Sequence, residues 1–91
     1  MLKIGSVYKW LSAQGILSRK KEILDSFYRV SSTILTGDLF LLLDYDYNLN
    51  HIGPHVTRVY LLKILYNGQI WEKLIVVDIN DDILDDLEEI C

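Results

Sequence analysis

Arg58-Val59-Tyr60-Leu61-Leu62-Lys63-Ile64-Leu65-Tyr66-Asn67-Gly68-Gln69-Ile70-Trp71-Glu72-Lys73-Leu74-Ile75-Val76-Val77-Asp78-Ile79 is the stretch that decides the fold. Tyr60, Leu62, Ile64 and Tyr66 alternate with Val59, Leu61, Lys63 and Leu65, which is the two-residue period of a strand. After Asn67-Gly68 the alternation resumes through Trp71, Ile75, Val77 and Ile79. A type I′ turn needs positive φ at both central positions, and Asn followed by Gly accepts that at the lowest steric cost. The stretch therefore predicts a β-hairpin.

Working outward, Thr36-Gly37-Asp38 is a turn, and Leu39 to Tyr47 after it starts as a continuous apolar run and ends in strict alternation. This predicts a strand buried on both faces at its start and on one at its end. Asn48 to His55, rich in turn formers and holding the single proline, Pro54, reads as a long protruding connection. Lys3 to Trp10 reads as a short first strand and Ser12 to Ser18 as a loop around Gly15. Ile23, Leu24, Phe27 and Tyr28 have helical spacing, giving a short helix near residues 19–28; a strand from Ser26 to Ser31 competes with it, because Phe27, Tyr28, Val30 and Thr33 are strand formers. At the other end, Ile83, Leu84, Leu87 and Ile90 form an apolar stripe behind Asn80 and Asp81, which predicts an amphipathic helix over 81–90.

With 91 residues, 51% apolar and 24% charged, the chain reads as one small domain without room for an elaborate catalytic cleft. The apolar runs are too short to cross a bilayer, and Met1 to Ser6 carries no secretory pattern, so a cytoplasmic protein without a membrane segment is expected. Cys91, the single cysteine, offers no internal disulfide. The net charge of −4 is unevenly spread: six bases against two acids in residues 1–37, and seven acids with no base in residues 78–91. An acidic total argues against sequence-independent binding to nucleic acid.

The Gly37-Asp38 turn leading into Leu39 to Tyr45, with Gly5 and Tyr8-Lys9-Trp10 before it and the Asn67-Gly68 hairpin after it, resembles the SH3-like β-barrels, in particular the small single-domain ones encoded by tailed phages. The resemblance implies an antiparallel SH3-like barrel over roughly residues 3–79, followed by the acidic helix, in a single domain 1–91. It further implies an interaction protein acting on a host or phage protein, in the host cytoplasm, with modulation of host machinery as its use. The chain lacks the Ala-Leu-Tyr-Asp-Tyr and Pro-x-x-Tyr stretches of peptide-binding SH3 domains, which argues against polyproline binding.

The chemistry-bearing residues are sparse. His51 and His55 flank Gly53-Pro54 and read as surface residues, with no zinc motif around them. Asp81, Asp82, Asp85 and Asp86 lack the pattern of a calcium loop, and Asp44 with Asp46 reads as a solvent-facing pair rather than an acid/base couple. The five glycines are isolated, so no phosphate loop forms, and no nucleophile motif surrounds any serine. No enzyme activity, cofactor or metal is expected.

What stands out is apolar surplus. Leu39 to Leu43, Val59, Leu61, Leu65, Leu74 and Val76 place large side chains on both faces of strands, although a small barrel has one interior. A binding surface is therefore expected, with Asp81, Asp82, Asp85, Asp86, Trp71, Tyr45 and Tyr47 as its partner-binding residues. Two alternatives stand beside it: RNA or single-stranded nucleic acid held by Arg19, Lys20 and Lys21, and a structural subunit that forms a homo-oligomer.

Overall fold

The computed structural model describes residues 2–13, 15–20 and 29–91. They form one antiparallel sheet of seven strands that curls into a half-barrel: β1 (Val7–Trp10), β2 (Gly15–Lys20), β3 (Arg29–Ile34), β4 (Leu39–Ile52), β5 (His55–Tyr66), β6 (Gln69–Asp78) and β7 (Leu87–Glu89), in the spatial order β3-β2-β6-β5-β4-β1-β7. The expected mainly-β architecture holds, as an open curled sheet. The β5–β6 hairpin forms as its alternation demands, with Tyr66 opposite Gln69 and positive φ at both Asn67 and Gly68.

The concave face holds the core. Leu62, Ile64 and Tyr66 of β5 meet Trp71, Ile75 and Val77 of β6, while Phe40 and Leu42 of β4, Tyr8 and Trp10 of β1, Leu17, Ile34, Leu2, Ile83 and Leu87 complete the cluster. The Tyr8 and Phe40 rings stack at 6.0 Å. Within β4 the inward parity changes. Leu42 faces Ile64 and Asp44 faces Lys63, so Leu43 is the extra residue of a β-bulge. Before it, even-numbered Phe40 and Leu42 point inward; after it, odd-numbered Tyr45 and Tyr47 do, and the bulge thereby turns Asp44 and Asp46 to the convex side.

Four local expectations are corrected. Asn48 to His55 is no long connection: β4 runs to Ile52, β5 starts at His55, and Ile52 pairs with His55 across a two-residue turn. Gly53 has φ +59 and Pro54 fixes the next φ, which suits the twist of a hairpin, and the polar residues lie on an arm exposed on both faces. The loop at Ser12 to Ser18 is largely strand β2. Gly15 there is a close-approach glycine: a Cβ would meet Lys73, Ile34 and Trp10 at 3.0–3.1 Å.

The helix over 81–90 does not form. Ile83–Asp85 is a single 3-10 turn, capped by the Asp82 carboxylate accepting from the Leu84 N–H at 3.0 Å, and Leu87–Glu89 is strand β7. Asp85, Asp86, Glu88 and Glu89 would have crowded the negative end of a helix too short to stand alone. As a strand, the segment supplies the edge of β1 with partners: Val7 N–H donates to the Cys91 carbonyl at 2.9 Å and Ile90 N–H to the Val7 carbonyl at 2.7 Å. Finally, the helix near 19–28 is replaced at its start by β2, which contains Arg19 and Lys20; residues 21–28 lie outside the described residues. The competing strand from Ser26 to Ser31 overlaps β3 at residues 29–31.

Candidate functional site

The inward turn of Tyr45 and Tyr47 after the bulge builds the most distinctive feature of the concave face. β5 brings Tyr60 opposite Tyr47 and Arg58 opposite Leu49, and the segment after β6 adds Asp82 and Ile83. With Leu2 these residues line a cleft of about 360 Å³. The Tyr47 and Tyr60 rings lie 5.0 Å apart at 54°, and Tyr45 and Tyr60 lie 6.4 Å apart at 42°, so tilted aromatic faces form one wall.

Polar groups in the cleft are held close together. Burial is the main force that raises the Tyr60 hydroxyl above the ordinary value of 10.0; the Tyr47 hydroxyl and the Asp82 carboxylate add to it, and Arg58 opposes it by hydrogen bonding and charge. Arg58 Nε is shielded from solvent and finds no hydrogen-bond partner among the described residues. Arg58 therefore combines a guanidinium engaged with Tyr60 and a donor left over. The cleft offers apolar ring faces, one cation and one carboxylate, which is equipment for recognition; nothing in it is placed as a nucleophile beside a base.

The sequence-expected site residues separate. Tyr45, Tyr47 and Asp82 converge in the cleft. Trp71 does not join them: it is 6% exposed, opposite Ile64 in the core, because its strand parity points inward at the crowded middle of the sheet. Asp81 lines a second hollow of about 460 Å³ with Pro54, His55, Val56 and Asp78, beside the turn at the tip of the β4–β5 arm. Asp85 is exposed on the 3-10 turn. The Asp86 carbonyl accepts from Leu11 N–H at 2.9 Å, and its carboxylate lies near enough to Lys73 to favour that ammonium, whose pKa burial lowers. Lys73 Nζ itself stands 5.6 Å above the Trp10 ring. Arg19 and Lys20 belong to β2, and Lys21 lies outside the described residues.

Arg58 and Tyr60 were missed as site residues. The sequence carries the means to find them: a two-residue turn at Gly53-Pro54 counts Tyr60 onto Tyr47, but only once that turn is recognised. Among the described residues no group of His, Cys, Asp and Glu is arranged to hold a metal ion, and no helix is long and apolar enough to cross a membrane. Compared with known proteins, the chain matches no family model, no curated protein and no solved structure.

Proposed function

We propose that the chain is a non-enzymatic binding module that holds an extended segment of a protein partner in the tyrosine cleft. The observation that carries this reading is the convergence of Tyr45, Tyr47 and Tyr60 with Arg58 and Asp82 in one hollow. Tilted tyrosine faces give large contact area at low entropic cost, and the positive charge of the Arg58 guanidinium suits a carboxylate of the bound segment. The acidic residues that sequence alone placed on a helix contribute here through Asp82 on a turn. Kinship with the SH3-like barrels belongs to the same proposal and rests on the turn and hairpin residues quoted above; a phage setting and an action on host machinery rest on that resemblance alone.

Selection of a random peptide library on the folded protein, followed by calorimetric titration of the selected peptides, tests this. Tyr60→Ala and Tyr47→Ala are expected to weaken binding about tenfold or more, as loss of a central aromatic contact does. Arg58→Gln is expected to weaken acidic peptides more than neutral ones. Binding untouched by all three changes would refute the reading. The nucleic-acid alternative is separated by a salt series with labelled RNA and single-stranded DNA: Asp82 in the cleft and the net charge of −4 predict no salt-dependent affinity.

A further inference from the structure

The convex face carries a second surface, and its pattern is self-complementary. Side chains of β5 and β6 that point away from the core sit in register across the two strands: Val59 beside Val76, Leu61 beside Leu74, Lys63 beside Glu72 and Leu65 beside Ile70. Leu74 is 56% and Val76 59% exposed, and Leu61, Leu65 and Ile70 are exposed as well. One charged row, Lys63 and Glu72 with Asp44 of β4 beyond Lys63, thus interrupts the apolar patch of β5 and β6. Among the described residues these two form no ion pair, although they face each other across the ladder.

We propose that this face is the interface of a two-fold homodimer in which Lys63 of each copy lies over Glu72 of the other. The operator follows from the register. A two-fold axis in the interface plane, parallel to the strands and midway between β5 and β6, lays β5 of one copy on β6 of its partner without shifting the rows. The row that pairs Lys63 with Glu72 inside one chain then places each lysine over the partner copy's glutamate. The same operation sets Leu61 on Leu74, Val59 on Val76 and Leu65 on Ile70. A two-fold interface must be complementary to itself, and a row with one charge of each sign about the axis meets that demand. An unrelated acidic or basic partner would leave one charge of the row opposed.

The size of the patch sets the strength. Two strands ~4.8 Å apart and about seven residues at ~3.4 Å cover on the order of 230 Å² per copy. Standard stable complexes bury about 800 Å² per partner, so a weak, reversible dimer with a dissociation constant approaching ~1 mM is expected. The tyrosine cleft lies on the opposite face, so the dimer leaves it open and does not depend on the binding function.

Sedimentation equilibrium of the whole chain from about 1 µM to about 1 mM tests the proposal. A monomer–dimer equilibrium is expected for the native chain. Lys63→Glu alone and Glu72→Lys alone are each expected to weaken self-association ~10-fold or more, because like charges then meet across the axis. An equimolar mixture of the two variants is expected to form a mixed dimer, since one copy presents two acids and the other two bases. That rescue cannot come from repair within a chain. Leu74→Gln is the second variant should a charge reversal unfold the protein, and it too is expected to weaken the dimer. A chain that stays monomeric throughout, self-association that ignores folded charge variants, as pairing through the β3 or β7 edges would, or a mixture of folded variants that fails to associate overturns the proposal.

Discussion

Asp38 shows how much a single side chain can hold. Its carboxylate closes the Leu35 to Asp38 turn by accepting from the Leu35 N–H at 3.1 Å and also accepts from the Tyr66 hydroxyl of β5. The Tyr66 bond first, and the Leu35 bond second, favour the charged form and hold Asp38 below the ordinary value of 3.8; the same bond raises Tyr66 above 10.0, with burial assisting. A lowered carboxyl contributes stability that is present above its unfolded value and is lost as pH falls through the folded one. A raised phenol contributes stability that is present below its unfolded value and is lost as pH rises through the folded one. The stability gap between native protein and Tyr66→Phe, measured by urea unfolding, should thus be widest at neutral pH, shrink below about pH 4 and shrink again above about pH 10. A gap that does not change with pH would show that the bond has no ionic character. At the hairpin tip, Gly68 has φ +74, and Gly68→Ala is expected to cost about 1–2 kcal/mol in the same measurement.

At the scale of elements, the bulge at Leu43 is where the inward parity of β4 changes. Deleting Leu43 would restore unbroken pairing and keep the faces beyond it, because Asp44 stays opposite Lys63, Tyr45 opposite Leu62 and Tyr47 opposite Tyr60. The expected outcome is a protein that still melts cooperatively and still binds the selected peptides, and lost binding by a folded deletion variant would show that the cleft needs the bulge itself. Nothing in Leu39 to Tyr47 marks the extra residue; the run of leucines is apolar on both sides of the parity change, so the bulge was invisible while the strand around it was plain. The hairpin of β5 and β6 was legible because turn chemistry and alternation agreed there. In the last segment two periods competed: Ile83 and Leu87 are four apart, which fits a helix, and the decisive term was the unpaired edge of β1, a partner nearly eighty positions away. Leu87 is 2% exposed, and Leu87→Ala is expected to cost about 2–5 kcal/mol by chemical unfolding, whereas a free acidic helix would tolerate it.

For the molecule as a whole, the apolar surplus was readable from composition, and its division into a concave core and a convex patch follows once the sheet is known to curl. The cleft was half legible: Tyr45, Tyr47 and Asp82 stood out by type, while Arg58 and Tyr60 needed the register of the arm. Most of the sheet joins residues far apart in the chain, which favours refolding on the millisecond-to-second scale seen for non-local β topologies, checked by stopped-flow fluorescence of Trp10 and Trp71. The pairing of β1 with β7 carries a consequence for biosynthesis. The strand made first receives its outer neighbour only after Cys91 has been joined to the chain, since Val7 bonds to that residue's carbonyl. A growing polypeptide therefore keeps one border of its sheet open until Leu87 to Cys91 have emerged, and chains arrested before that point should be cut by protease where the folded protein resists.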